Sequence, residues 1–305
     1  MKYLFLALVL LLSFSCVAQI NSTTLEKDGE DIVVKINGKL FTKYVHGEQK
    51  PYLYPVIGPT GINMTRNFPI KKGVKGESQD HPWQSSIYYT HGSVNRLDFW
   101  NNYSSRQKNC RIVLDKLIST DKATIIATHK WLNGKKIIMT DKTEISFSGD
   151  EQKRIIDFTI TLKASHGKVT LGDTKEGCMA VRMHHMLRVK ENKASVINSE
   201  GITGKKVWGK AAKWITYSNK IEGKTVGITM MDHPQNLRYP TTWHARDYGL
   251  CAANPFGLKH FLGKKNNGTY VIEDGKSLTF SYRLIFHSGT SDDIKAQKLH
   301  KSWIK

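Results

Sequence analysis

Four stretches of the chain combine histidine, aspartate, arginine and aromatic residues at short spacing. They run over 80–100, 172–185, 232–240 and 243–257. A carbohydrate site needs this mixture, because aromatic faces cover the apolar side of a sugar ring while charged and amide groups bind its hydroxyls. Histidine or a carboxylate can also transfer protons near neutral pH. We therefore expect the four stretches to form a glycan site.

The acid–base roles fall to histidines, with carboxylates as their partners. His91, His184 and His244 are the candidate acid–base residues, and Asp98 or Asp247 would orient the one that acts. The expected substrate-binding residues are His81, Trp83, Asn95, Trp100, Arg182, His233, Trp243, Arg246, Tyr248 and Asn254. The tryptophans would stack on sugar, and the arginines would neutralise a carboxylate or sulfate. Hydrolysis, β-elimination and epimerisation stay open, and the alternative is a non-catalytic glycan-binding or cell-envelope protein.

Metal and cofactor chemistry has little support in the sequence. Adjacent His184 and His185 would point to opposite faces of a strand. The chain has no His-Glu-x-x-His, no Cys-x-x-Cys and no Gly-x-Ser-x-Gly motif. We predict no metal and no cofactor, with a metal site assembled from distant loops as the remaining alternative. Each histidine taken alone also has a structural interpretation.

The formal charge of +20 at pH 7 favours anionic partners. For an exported protein these would be acidic glycans or anionic surfaces, although lysines beside glycine or asparagine also fit solvated turn tips. No helix-turn-helix, zinc finger or aromatic RNA-binding motif is present, so we predict no nucleic-acid partner.

Residues 1–19 have the pattern of a secretory signal peptide. A basic start precedes an apolar run over 4–12 and a small-residue exit at Ala18-Gln19. The run is shorter than the roughly 20 residues that span a bilayer, and no later segment is apolar enough to do so. The pattern predicts a periplasmic or secreted protein, with lipid attachment at Cys16 as an alternative.

Strand signals recur over the rest of the chain, from 20 to 305. Asn37-Gly38 between two β-branched runs predicts a hairpin, and the long Gly- and Pro-rich segment 51–81 predicts a loop. Only 291–304 looks helical. This pattern predicts one all-β domain, a large antiparallel β-sandwich with a short C-terminal helix. Cys110, Cys178 and Cys251 are expected to be buried apolar residues rather than a disulfide framework.

The same stretches resemble a known family. The matching segments are 50–59 (KPYLYPVIGP), 80–82, 91–100, 172–177 (GDTKEG), 232–234, 243–249 (WHARDYG) and 254–257 (NPFG). They are similar to the PmoA-like family, a bacterial domain of unknown function whose members carry the label "methane oxygenase PmoA". That label is a misnomer for this chain, because a true subunit of that enzyme is a bundle of membrane helices.

The resemblance implies an exported protein of carbohydrate-degrading bacteria. The length and the histidine-bearing loops further favour a mutarotase-like β-supersandwich. One position departs from the expected family pattern: His-Pro-His-His-Arg is replaced by His81-Pro82-Trp83-Gln84-Ser85. If the missing histidines are functional, this change implies an altered substrate or lost activity.

Overall fold

The structure is a computed structural model that describes residues 22–103, 109–121 and 123–305. The predicted signal peptide and Cys16 lie outside the described residues. No helix within those described ranges is long and apolar enough to cross a membrane.

Strands dominate the chain. They are β1 (Thr23–Asp28), β2 (Asp31–Ile36), β3 (Lys39–Val45), β4 (Tyr52–Val56), β5 (Ile87–His91), β6 (Cys110–Asp121), β7 (Thr124–Asn133), β8 (Lys136–Gly149), β9 (Lys153–Lys163), β10 (Val169–Leu171), β11 (Gly177–Arg182), β12 (Ser195–Asn198), β13 (Trp214–Ile221), β14 (Lys224–Asp232), β15 (Trp243–Ala245), β16 (Leu250–Ala253), β17 (Tyr270–Ile272) and β18 (Ser277–Ser288). The helices are α1 (Val189–Asn192), α2 (Leu258–Leu262) and α3 (Ala296–Trp303), with 3₁₀ turns at His185–Leu187 and Gly204–Val207.

The strands form two eight-stranded antiparallel sheets and one short pair. The first sheet has the order β1-β2-β3-β4-β5-β11-β16-β15, and the second has the order β12-β13-β14-β18-β9-β8-β7-β6. Strands β10 and β17 pair separately. Phe41 of the first sheet meets Phe147 of the second edge to face at 6.1 Å, and residues of both sheets share the main hydrophobic cluster. The prediction of a large antiparallel β-sandwich is confirmed. A single domain over 20–305 stays a prediction.

The hairpin between β2 and β3 shows how local sequence sets the register. Asn37 and Gly38 have φ values of 52° and 72°. Two successive left-handed residues make the turn that matches strand twist, and asparagine followed by glycine tolerates it best. The predicted loop over 51–81 is partly wrong, because β4 pairs with β3 inside it. The rest of that segment makes only isolated bridges, and its Ile62 and Met64 belong to the main hydrophobic cluster.

A buried polar network links the two sheets. The Tyr44 hydroxyl is 2.7 Å from His129 Nε2, and His129 Nδ1 is 2.7 Å from Asp141 Oδ1. The other Asp141 oxygen accepts a hydrogen bond from Trp131 Nε1 at 2.7 Å. Each polar group of this network thus has a partner, as burial favours.

The C-terminal helix is shorter than predicted. It starts at Ala296, because Asp293 accepts hydrogen bonds from the backbone and hydroxyl of Thr290 in a separate turn, and Lys295 then adopts a φ of 53°. Leu299 and Trp303 pack on the outer face of the second sheet. The short helix itself is confirmed. Cys178 and Cys251 are buried free thiols, and Cys110 is buried as well.

Candidate functional site

Four neighbouring strands of the first sheet are buried on both faces. Every residue of β5, β11, β15 and β16 is buried. Their register places Tyr88, Ala180, Ala252 and His244 in one cross-strand row. This row faces away from the sandwich core, because the neighbouring row contains Trp243 and other members of the main hydrophobic cluster. The loops that cover the outer row therefore carry the candidate site.

A carboxylate between two buried guanidiniums lies on this face. Asp80 Oδ1 is 2.8 Å from Arg66 Nη1 and 3.1 Å from Arg182 Nη2. The two arginine side chains are 2% and 1% exposed. Burial by itself would raise the pKa of Asp80, but hydrogen bonding from Ser78 and the charges of Arg182 and His81 hold it well below its ordinary value. The group carries an excess of positive charge.

Tyr248 joins this charged group to aromatic rings. Its ring stacks on His81 at 5.1 Å with an interplanar angle of 11°, and Trp83 meets His81 at 5.1 Å. The guanidinium carbons of Arg182 and Arg246 lie 4.6 and 5.4 Å from the Tyr248 ring centre. We call Asp80, His81, Trp83, Arg182, Arg246 and Tyr248 the outer cluster. Sequence analysis had named every member except Asp80 as a site residue.

His244 lies beside the outer cluster in an aromatic and basic setting. Its ring centre is 6.5 Å from that of Trp208 and 6.0 Å from that of Phe261. The residue is 2% exposed, and its Nδ1 has no hydrogen-bond partner within the described part of the chain. Burial, followed by the charges of Lys175 and Arg246, lowers the pKa of His244 to about 3. The imidazole is therefore neutral at physiological pH.

Neither expected carboxylate orients this histidine. Asp98 Oδ1 accepts hydrogen bonds from the backbone amides of Trp100 and Asn101, both at 2.9 Å. Asp247 pairs with Lys205 at 3.1 Å. Both carboxylates have other partners, so the predicted His–Asp pairing at His244 is not formed.

Trp100 lies under the outer surface rather than on it. It is fully buried, 5.2 Å from Tyr88, on the outer face of the first sheet. Trp100 Nε1 and the Tyr88 hydroxyl are buried without a hydrogen-bond partner among the described residues. An unpartnered buried polar group costs about 1–3 kcal/mol, so a water or ligand atom that bonded either group would stabilise the fold.

Lys50 is a further ionisable group on this face. Its side chain is 2% exposed, and Nζ lies 4.9 Å from the centre of the Tyr88 ring. Nζ also donates to Asn102 Oδ1 at 3.4 Å. Burial lowers the pKa of Lys50 to about 7, against the opposing charge of Asp98. This lysine therefore changes charge near neutral pH.

Two predicted site residues point into the sandwich instead. Trp243, next to His244 in β15, is fully buried in the main cluster and donates from Nε1 to the Ala212 carbonyl. His91 contacts Phe256 at 4.9 Å and donates from Nε2 to the Gly172 carbonyl at 2.9 Å. Burial lowers the pKa of His91 to about 4. The structure does not bring either side chain to the outer cluster.

His184 and His185 contradict the expectation that they point apart. Their ring centres are 4.2 Å apart, because β11 ends at Arg182 and His185 begins a 3₁₀ turn. His184 Nδ1 accepts a hydrogen bond from the Met186 amide, which is a capping role. Burial lowers the pKa of His184 to about 4. Even so, no group of three or more metal-ligating side chains occurs among the residues that the structure describes.

The remaining predicted residues have structural contacts away from the outer cluster. His233 packs edge-on to Trp303 of α3, on the second sheet. Asn95 is exposed in a turn and accepts from the Thr170 amide, and Asn254 accepts from the amides of Phe256 and Gly257. These hydrogen bonds explain the asparagines through turn geometry.

Several residues at the site were missed in the sequence. They are Lys50, Arg66, Tyr88 and Trp208. Asp80, Lys175 and Glu176 lie within the predicted stretches 80–100 and 172–185, although the expected site residues did not include them. The run Ile87-Tyr88-Tyr89 at the start of β5 was the available signal, because a strand segment without polar alternation is covered on both faces. From that signal, one of the two tyrosines would be expected to face a layer of residues outside the sandwich.

Fold and site together define a β-sandwich protein with a basic, aromatic cluster on the outer face of one sheet. Residues 31–301 match the family described as "Family of unknown function (DUF6807)", and the chain belongs to that family. The PmoA-like assignment was wrong, because the matching family does not carry that label. The altered substrate or lost activity inferred from Trp83 rested on the pattern of that family and is withdrawn with the assignment.

Two solved structures from bacteria are similar to this chain over most of its length. A galactose mutarotase-like protein from Clostridium acetobutylicum has 10% identity and a TM-score of 0.42, over 88% of this chain and 99% of that one. A galactose mutarotase related enzyme from Lactobacillus acidophilus has 10% identity and a TM-score of 0.29, over 88% of this chain and 98% of that one. No curated protein matches the chain in sequence.

Proposed function

We propose that this protein is a carbohydrate-active enzyme that binds a glycan on the outer cluster and transfers a proton through His244. The stacked, half-exposed rings of His81 and Tyr248 above the buried Arg182 carry this proposal. Such rings offer an apolar face to a sugar, while the guanidinium holds them in place. The signal peptide predicted at 1–19 supports action in the periplasm or outside the cell.

The charges around His244 favour proton removal over hydrolysis by a carboxyl pair. A glycosidase of the usual kind needs two facing carboxyl groups, one of them free to protonate the leaving group. Here Asp80 is held by two arginines, and Glu176 is paired with Lys175. A neutral His244 would instead take the proton from a sugar carbon next to a carboxylate, and the electron pair would move onto the carboxylate oxygens. Arg246 and Lys175 supply positive charge nearby. If the β-substituent then left with its bonding electron pair, the result would be β-elimination. Epimerisation would need a proton delivered to the opposite face of the same carbon.

A non-catalytic glycan-binding protein is the second candidate. The observation that favours it is the absence, among the described residues, of a carboxylate hydrogen-bonded to His244. Catalytic imidazoles are usually oriented by such a partner. On this interpretation the outer cluster binds sugar, and His244 only fills space beneath it.

Separate binding and turnover assays distinguish the two candidates. The wild type, His244→Ala and the control His166→Ala are tested against neutral, uronate-containing and sulfated oligosaccharides, with calorimetry for binding and product analysis for turnover. His166 is an exposed turn residue. The enzyme proposal predicts product from the wild type and His166→Ala, and binding without product from His244→Ala. Binding without product from the wild type on the whole panel supports the binding protein. Absence of binding to every glycan contradicts both.

A further inference from the structure

We propose that the cavity at the β15 edge of the first sheet is a subsite for the carboxylate or sulfate group of a sugar. The cavity has a volume of about 260 Å³ and is lined by Lys205, Trp208, Ala245, Arg246 and Asp247. The inference rests on the proposed function, because it assigns one acidic group of the glycan to one place beside the outer cluster.

The charges of the cavity wall leave one cation without a carboxylate. Lys205 Nζ and Asp247 Oδ2 are 3.1 Å apart and offset each other. Arg246 has no carboxylate oxygen within ion-pair distance in the described part of the protein, and its guanidinium lies against the Tyr248 ring. A planar guanidinium with free donors matches the oxygen pair of a carboxylate or sulfate. The cavity therefore favours an anion at Arg246.

Trp208 forms an aromatic wall of the cavity, and Phe261 packs against its ring. Its ring meets Phe261 edge-on at 5.3 Å. Gly209 allows this approach, because it adopts a φ of +70° and a Cβ there would lie 3.0 Å from the Cβ of Phe261. Trp208 Nε1 is buried without a hydrogen-bond partner among the described residues. A rigid indole beside an unpaired guanidinium is suited to a sugar ring with an acidic group, rather than to a bare ion.

The neighbouring His244 is a second observation that favours an anion in the cavity. It is almost fully buried, its Nδ1 is unpartnered, and it touches the same indole. The groups that act on it electrostatically are Lys175, Arg246 and His260, and all three lower its pKa. An anion at Arg246 would offset these charges and raise the pKa of His244 towards the range useful for proton transfer.

The size of the cavity fits one substituted sugar ring. Pockets for small organic ligands start at about 300 Å³, and this cavity is close to that lower end. Arg246 in its wall lies against the half-exposed Tyr248 ring, which stacks on His81 of the outer cluster. A glycan on the outer cluster can thus place one acidic residue in the cavity.

Matched sugars that differ only in charge test the subsite. Affinities of uronate-containing, sulfated and neutral oligosaccharides of equal length are measured by calorimetry for the wild type, Arg246→Gln, Arg246→Lys and the control Arg111→Gln on β6. We expect the wild type to bind the acidic sugars at least tenfold more tightly than the neutral ones. Arg246→Gln should remove this preference, Arg246→Lys should keep part of it, and Arg111→Gln should match the wild type.

The outcomes separate this inference from the proposed function. If neutral and acidic sugars bind alike in the wild type, or Arg246→Gln keeps the preference, the subsite is wrong although glycan binding stands. If no sugar binds, the proposed function itself fails. Inorganic sulfate that binds as tightly as the sulfated sugar would overturn the assignment to a sugar. If Arg246→Gln does not fold, the wild-type salt dependence decides, because added salt must weaken acidic binding more than neutral binding.

Discussion

The carboxylate of Asp80 reaches the guanidinium of Arg182, with 3.1 Å between Oδ1 and Nη2, although 102 positions separate the two residues in the chain. This contact ties the loop over the first sheet to strand β11. Because the Arg182 guanidinium also lies against the Tyr248 ring, the position of that ring depends on this ion pair.

Replacing this carboxylate should destabilise the protein strongly. Asp80→Asn leaves Arg66 and Arg182 buried without a counter-charge. We expect a loss of about 2–3 kcal/mol in the free energy of unfolding, below the roughly 3–5 kcal/mol of fully buried pairs, because water screens the 41% exposed Asp80. Urea unfolding measures it. Glu191→Gln, which breaks the surface pair with Arg188, is the matched control and should cost less than about 1 kcal/mol. Equal effects of the two changes would contradict the account.

Lys50 should make the stability of the protein depend on alkaline pH. Its folded pKa of about 7 lies below the ordinary value of 10.5. Between these values the unfolded chain binds more protons than the folded one, so the contribution of Lys50 to the free energy of unfolding rises as pH rises from about 7 to 10.5. Lys50→Met should show a smaller rise than the wild type in urea unfolding at a series of pH values. The exposed Lys265→Met should show the wild-type rise, and an identical rise in Lys50→Met would refute the prediction.

The polar network between the sheets should respond to loss of one hydroxyl. Tyr44→Phe leaves His129 Nε2 buried without its partner. The expected cost is about 1–3 kcal/mol in the free energy of unfolding, measured by chemical denaturation. Tyr270→Phe, at a half-buried tyrosine of β17, is the control and should stay within about 0.5 kcal/mol of the wild type. A cost at Tyr44 no larger than the control would show that the network does not stabilise the sandwich.

His233 should prove structural, although its sequence context suggested a ligand contact. His233→Ala removes the ring that packs on Trp303, so we expect a loss of about 0.5–1.5 kcal/mol in stability. Glycan affinity should equal that of the wild type, since the residue lies on the other sheet. Calorimetry with the sugar panel and thermal unfolding measure the two effects. A tenfold loss of affinity in a folded His233→Ala variant would place the site elsewhere.

The sequence sufficed for the class of fold but not for the facing of individual side chains. Asn37-Gly38 and the β-branched runs predicted hairpins and a sandwich, because turn chemistry and strand propensity are local. Trp243 and His244 are neighbours that were both predicted as site residues. Alternation along β15 turns Trp243 into the core and His244 outward. Which parity faces the core depends on pairing with β16, a non-local choice.

Two other residues show the same limit in different ways. His91 follows Thr90 on β5, and the parity that makes Tyr88 an outer residue turns His91 towards Phe256. His185 would have pointed away from His184 on a strand, but the strand ends first. Element boundaries and strand pairing arise from the whole chain, so neighbouring residues alone could not decide these positions.

The complete burial of β5, β11, β15 and β16 separates what can vary from what cannot. A larger side chain at Ala180 or Ala252 would have to displace the residues that cover it. Substitutions there would therefore destabilise the fold before they could change ligand preference. Trp83 and Arg246 lie on half-exposed connections, where a change of side-chain size displaces less of the structure. A laboratory selection for new ligands should therefore randomise those connections and leave the strands as they are.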